Sequence, residues 1–390
     1  MKILLICNYP PDAQQSMLRF ADVLRRGLAG RGWDVVPVAP KARWGGLTGR
    51  GPGPRSARWL GYMDKYLLFP LELRRKARVE SARGPLLAHV IDHGNSIYLP
   101  ARADIPWVVT CHDMLAVRGA LGEATDCPAT ILGRRLQRGI LAGLRRAGGV
   151  ACDSASTLGD LDRLAPREPG HLRRVIPLGQ NHPYGRVDPA AARARLSSLS
   201  GVPWEQPFLL HVGSNLARKN KAAVIDVLGR LRGRWDGNAV FCGAPMTPEL
   251  SARSREAGVE GRVFALPRVE DAQLEAVYSL AHALVFPSNC EGFGWPVIEA
   301  QACGCPVIAS DRTSLPEVGG EGAVYFAPDD TAGMAGAVLG LGLPEARAAA
   351  VARGRTNAAR FSKDRMIDDY IGFYAEVAAC QSRGVPLHRA

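Results

Sequence analysis

Residues 285–311, VFPSNCEGFGWPVIEAQACGCPVIASD, restrict the fold more than any other stretch of this chain. The apolar run at 284–287 reads as a short strand, and 289–295 as a turn with glycines at 292 and 294. Pro296 suits the first position of a helix that Gly304 and Pro306 stop. Residues 307–309 start another buried strand. Strand, glycine-rich loop, helix and strand make the parallel crossover of α/β proteins, whose ligands bind beyond the carboxyl ends of the strands.

The helix after Pro296 offers unpaired N–H groups and the positive end of its dipole, a seat for phosphate or diphosphate. Glycines 292 and 294 let a ligand approach the backbone closely. A carboxylate suits vicinal hydroxyls better than phosphate, so Glu291 before the loop and Glu299 in the first helical turn would grip two sugars flanking a diphosphate. For an isolated pair, a solvated loop residue and a dipole-facing helix residue are an equal alternative.

The same grammar recurs along the chain. Strands are expected at 2–7, 34–39, 88–91, 107–110, 149–152 and 174–176, then at 207–212, 238–242, 262–265, 283–286, 306–309 and 323–326. Two α/β halves follow, with 180–203 as the linker and entry to the second, and a ligand cleft between them. In the second half, HVGSNLARKNKAAVIDVL puts Gly213 and Ser214 at a strand end and Arg218 and Lys219 at a helix start, an electrostatic seat for a diphosphate. In the first half, VVTCHDML sets His112 and Asp113 after a strand, and His93 follows another.

EGFGWPVIEAQACGCPVIASD followed by SLPEVGGEGAVYFAPDD resembles the signature of family-4 retaining glycosyltransferases of the GT-B fold. The resemblance is strong across the second half and weak in the first. It implies two Rossmann-like domains with parallel sheets facing across a cleft, an acceptor domain at 1–182 and a nucleotide-sugar donor domain at 200–363. Residues 364–390 would form a helix crossing back to the first domain.

By that resemblance Glu291 contacts the transferred sugar, Glu299 holds the ribose, and the backbone at Phe293, Gly294 and Trp295, with Pro296 behind it, adds donor contacts. Arg218 and Lys219, beside Gly213 and Ser214, bind the diphosphate and stabilise the charge that leaves with it. His112 aligns the sugar, and Arg268 stands near the base. The implied activity is a retaining hexosyltransfer by front-face displacement, in which the departing phosphate accepts the acceptor's proton. No cofactor and no metal are expected, with no Asp-x-Asp metal motif read in the chain. The alternatives are a catalytically silent glycan-binding or scaffold protein and a nucleotide-sugar 2-epimerase.

Two departures from the family pattern stand out. The first loop, NYPPDAQQSMLR, lacks the adjacent glycines of many relatives, leaving Gln14, Gln15 and Ser16 as hydrogen-bonding groups, and Pro267 precedes Arg268 where glycine is usual.

With 390 residues, 47% of them hydrophobic, the chain is long enough for two cores. No apolar run approaches a membrane span and no cleavable signal is read at the start, so a cytoplasmic location is the expectation. The nine cysteines show no zinc-like spacing and read as small packing residues.

Through residue 180 there are 27 Lys and Arg against 15 Asp and Glu, and beyond it 22 against 22, so the formal +12 lies in the first half. An ordinary solvated face is the first reading of that excess; the next is an anionic or lipid-linked acceptor, or peripheral contact with the inner face of a membrane. Nucleic acid is not expected, because no such motif accompanies the charge. Residues 41–58 read as a Gly/Pro/Arg-rich loop. The stretch RWLGYMDKYLLFPLELRRKAR after it has either a core-facing helix, the preferred reading, or an apolar face for a membrane interface.

Overall fold

The computed structural model describes residues 1–44, 55–100, 104–199 and 201–382. It divides into two compact units, Met1–Pro177 with Lys363–Ala390, and Leu178–Ser362. Each is built on a six-stranded, all-parallel sheet.

In the first unit the strands are β1 (Lys2–Ile6), β2 (Asp34–Val38), β3 (Leu86–Val90), β4 (Trp107–Cys111), β5 (Gly149–Cys152) and β6 (Leu172–Val175), in the order β2-β1-β3-β4-β5-β6. In the second they are β7 (Phe208–Val212), β8 (Asn238–Cys242), β9 (Val263–Leu266), β10 (Ala283–Phe286), β11 (Val307–Ser310) and β12 (Ala323–Phe326), in the order β12-β11-β10-β7-β8-β9. Strands covered by helices on both faces become continuous apolar runs, as in LLAHV, WVVTC and ALVF, and this makes them legible. All twelve lie within a few residues of the expected positions.

Each order reverses direction at one place. In the first sheet this is between β1 and β3, and in the second between β7 and β10, where loops leaving neighbouring strands diverge and open a crevice. These two switch points are where ligand chemistry belongs.

The helix Lys363–Ser382 belongs to the first unit. Its Tyr370 and Tyr374 are fully buried, and their hydroxyls reach Thr110 Oγ1 and His89 Nδ1, each at 2.8 Å.

Three sequence expectations need correction. The linker at 180–203 contains the helix Pro189–Leu196, started by Pro189 and capped by Asp188, which packs on Asp271–Leu280 and is part of the second unit. Of the loop read at 41–58, residues 45–54 lie outside the described ones, and a helix has begun by Arg55. The stretch 58–78 is core-facing on one side only. It buries Asp64, Phe69 and Leu73, where the five-residue step from 64 to 69 is a π turn, but leaves Trp59, Met63, Leu67 and Leu71 exposed.

Candidate functional site

At the switch point of the second sheet, the loops leaving β7 and β10 bring together residues some seventy positions apart. Arg218 Nη1 donates to Glu291 Oε2 at 3.0 Å and to the Cys290 carbonyl at 3.1 Å, and Lys219 Nζ donates to Glu291 Oε1 at 2.6 Å. The Lys219 ammonium also lies 5.3 Å from the centre of the Phe286 ring. Two cations against one carboxylate leave a net positive charge there, in surroundings that expose only 7% of the Glu291 side chain. Gly213 and Ser214 begin the β7 loop, and Ser214 is exposed.

The backbone holding these groups is itself pinned. Asn220 takes the left-handed conformation, φ 50°, which Asn tolerates better than most residues. Its side-chain amide donates to the carbonyls of Pro287 at 3.2 Å and Pro328 at 2.9 Å, tying the β7 loop to those after β10 and β12. Thr313 Oγ1 accepts from Glu291 N at 3.0 Å, and Ser314 Oγ donates to the carbonyls of Glu291 and Phe293. Gly294 has φ +109°, and a Cβ there would lie 2.8 Å from Leu315, so glycine is required.

The helix after this loop runs Trp295–Ala302, so Trp295 opens it and Pro296 takes its second position. Glu299 is therefore in the second turn, a correction to its placement in the first. It is 4% exposed and accepts from the Tyr278 hydroxyl at 2.9 Å. Burial, then the Glu299 charge, pushes the Tyr278 hydroxyl well above its ordinary pKa. Trp295 Nε1 donates to the Gly179 carbonyl, and Phe293 is buried with its ring against Phe361. Arg268 follows the edge strand β9 and is exposed, two strands from β7 and about 10 Å along the sheet. It is not gathered with the others.

In the first unit, the switch point between β1 and β3 carries a polar network. Asn8 donates to Asp92 Oδ2 at 2.5 Å and to the Gln14 side-chain oxygen, while Asn95 donates to Asn8 Oδ1 at 2.9 Å. Gln14 of the glycine-free loop thus accepts a hydrogen bond from within the protein. His93 lies 3.5 Å from Asp92.

After β4, buried His112 has Nδ1 2.6 Å from Asp153 Oδ2 and Nε2 2.8 Å from the Ile91 carbonyl. A carbonyl only accepts, so Nε2 carries a proton, and the second proton lies between Nδ1 and the carboxylate. Burial alone would lower the imidazole's pKa, but Asp153, aided by Asp92, raises it to about 9.

A folded pKa above the unfolded value of about 6.5 gives stability that is full below pH 6.5 and lost as pH rises through about 9. The expected result is that His112→Gln flattens the fall of melting temperature between those pH values. An unchanged slope would place the titration elsewhere.

Sequence reading missed Asn220, Thr313, Ser314, Asp92 and Asp153. It also missed Lys221, buried with Nζ donating to Asn215 Oδ1 at 2.8 Å and with a pKa lowered by burial to about 8. Asn220 carried a signal, an αL-tolerant residue just ahead of a helix. Lys221 pairs only six residues away, within the same loop and helix start, whereas the others pair over distances that no local pattern reveals.

An Asp-x-Asp triplet does occur, contrary to expectation, at 160–162. Asp160 pairs with Arg118 and Arg163, and Asp162 with Arg173, so on the helix Ala155–Leu164 these are ion-pair partners. Among the described residues no group of His, Cys, Asp and Glu could hold a metal ion, and no single helix is long and apolar enough to cross a membrane. No disulfide joins cysteines among the described residues, and burial pushes Cys305 up to about 12, which fits packing.

Residues 195–342 match the sequence model described as "Glycosyl transferases group 1". The chain is 30% identical over 292 residues to a D-inositol 3-phosphate glycosyltransferase of Xylanimonas cellulosilytica, covering 70% of this chain and 67% of that one. It is 38% identical over 116 residues to O-antigen chain mannosyltransferase B of Escherichia coli, 30% of each. Across such curated relatives the matched stretch spans 30% to 67% of their length, mostly under two thirds. The fold is similar to sucrose-phosphate synthase of Thermosynechococcus elongatus, at 22% identity and TM-score 0.75, over 97% of this chain and 99% of that one. It is also similar to HepE of Anabaena in complex with UDP, at 16% identity and TM-score 0.69, over 96% and 100%.

Proposed function

The chain belongs to the group 1 glycosyl transferases and has their GT-B fold, and from that premise we propose that it moves a sugar from a nucleotide diphosphate sugar to an acceptor hydroxyl, with retention at the anomeric carbon and without a metal ion. The observation that carries this reading is the meeting of Arg218, Lys219 and Glu291 at the switch point of the second sheet.

A diphosphate seated on Arg218 and Lys219 takes over their charge from Glu291 and releases that carboxylate to accept sugar hydroxyls. The same two fixed cations stabilise the diphosphate as it leaves, the task a metal performs elsewhere. Glu291 orients the sugar without attacking it, and the departing phosphate accepts the acceptor's proton on the same face. Glu299, fixed by Tyr278, offers its carboxylate to the ribose. Gly213, Ser214 and the backbone from Phe293 to Pro296 would line the donor, and Arg268, on the edge strand apart from this group, would have to reach the base from there.

On the acceptor side, the network of Asn8, Gln14 and Asp92 supplies hydroxyl-binding groups, while His112, whose ring nitrogens are held by Asp153 and the Ile91 carbonyl, would align the donor sugar by giving up the bond to that carbonyl. The excess of 27 Lys and Arg over 15 Asp and Glu through residue 180 favours an anionic or lipid-linked carbohydrate. Relatives named for an inositol 3-phosphate acceptor suit the same preference.

The test is a thermal-shift screen against UDP, GDP, ADP, dTDP and their sugars without added metal, beginning with UDP because the Anabaena structure holds it. A nucleotide at a hundred times its Kd should add about 2.7 kcal/mol to stability. The expected result is one selective shift, lost in Glu299→Ala and kept in Tyr278→Phe. Loss in both would mean that Glu299 acts through packing, and no shift with any nucleotide in a folded sample would favour a silent scaffold.

A further inference from the structure

The helix Arg55–Met63, the π turn Asp64–Leu68 and the helix Phe69–Ser81 follow one another with helical backbone at both junctions. Its outer side is not what a water-facing helix carries. Trp59 is 61% exposed, Met63 39%, Leu67 52% and Leu71 61%, each four residues after the last. Four residues overshoot one α-turn by about 40°. The wider π turn in the middle works against that drift, so these side chains form one stripe. Single exposed hydrophobics are ordinary, but a continuous row marks a contact surface.

We propose that this stripe docks the first unit on an anionic lipid bilayer. The charge beside it selects that partner. Arg74, Arg75 and Arg78 are exposed at the end of the stripe and make no ion pair among the described residues. Their neighbours do: Lys76 and Arg83 pair with Glu80, and Lys41 and Arg43 with Glu72.

Aromatic side chains flank the row. Tyr62 is 38% exposed, its ring 5.2 Å from a Lys65 ammonium that Asp12 anchors, and Trp44 is 39% exposed, its backbone N–H held by the Asp64 carboxylate. Aliphatic and Trp side chains on one face with arginines at its flank are the composition of a helix lying in a headgroup layer. A second copy of the chain would instead bring another net-positive half against these arginines.

Flotation of the intact protein with vesicles tests this, comparing phosphatidylcholine alone with an equimolar mixture of phosphatidylcholine and phosphatidylglycerol. Binding is expected to the mixture only. The bound fraction should fall roughly tenfold or more in the double variant Leu67→Ser, Leu71→Ser, and comparably in the triple variant Arg74→Ser, Arg75→Ser, Arg78→Ser. All these positions are exposed, so the melting temperature of the unliganded protein should not change, which separates this result from any outcome for nucleotide binding.

Three results overturn the proposal: no flotation, flotation that the leucine variant leaves intact, or a doubled mass by light scattering that the leucine variant reverses in a protein that does not float. The last would assign the stripe to a second copy.

Discussion

Lys219→Ala is expected to lower the kcat of sugar transfer by about 10²–10³, the loss seen when one fixed donor to a developing negative charge is removed. Lys219 is mostly shielded from water, 2.6 Å from Glu291, and its ammonium has no other anionic partner among its contacts. Its positive charge is therefore available to whatever anion displaces that carboxylate. The fold should survive, because the pins of the loop are Asn220 and Thr313, which the substitution leaves alone.

Glu291→Gln separates the two roles assigned to this cluster. Removing the carboxylate's charge leaves Arg218 and Lys219 uncompensated, so nucleotide should bind at least as tightly as before, while transfer slows because the sugar loses its acceptor. Steady-state kinetics alongside nucleotide titration reads both. A Lys219→Ala protein within about tenfold of the parent kcat would remove the two cations from the mechanism as drawn.

Much of this cluster was legible from sequence because its parts are local. A strand end, a glycine and a cation pair lie within one short segment, and Glu291 and Glu299 lie on either side of one turn. The residue patterns alone did not reveal that the segments meet, which only the family resemblance implied, because strand order brings β7 beside β10, and no spacing encodes strand order.

The same limit hid Asp153 behind His112 and Asp92 behind Asn8, each pair joined only once neighbouring strands are in register. The stripe from Trp59 to Leu71 fails for a different reason. Periodicity shows that a helix has an apolar face but not what covers it, and a π turn shifts the phase partway along. The triplet at 160–162 shows the converse, a motif whose letters match while its carboxylates are already paired with arginines.

Ending the chain at Ser362 is expected to unfold the first unit, although the helix it removes is far in sequence from every strand of that sheet. Ile367, Tyr370, Phe373 and Tyr374 are fully buried. Buried area of that kind contributes on the order of 10 kcal/mol, comparable to the whole net stability of a domain.

The fit leaves no room for substitutes. A Cβ on Gly149 of β5 would come within 2.5 Å of Val377 and 2.9 Å of Phe373, and one on Gly27 within 2.5 Å of Ile367, so glycines on two elements are shaped to this helix. Its tyrosines also close a relay through the sheet, from Tyr374 to His89 to Thr110 to Tyr370, with each link 2.8 Å. Without the helix, His89 loses its Nδ1 partner in a site that burial has already pushed to a pKa of about 3.

Limited proteolysis of the truncated chain should degrade residues 1–177 while 178–362 persists, and calorimetry should lose the first unit's transition. Tyr374→Phe, which breaks one link and keeps the packing, should cost only about 1–3 kcal/mol. A truncated protein that melted within a few degrees of the parent would show that the first sheet closes without this helix. The burial of its aromatic side chains would then no longer account for why the chain returns to the unit where it began.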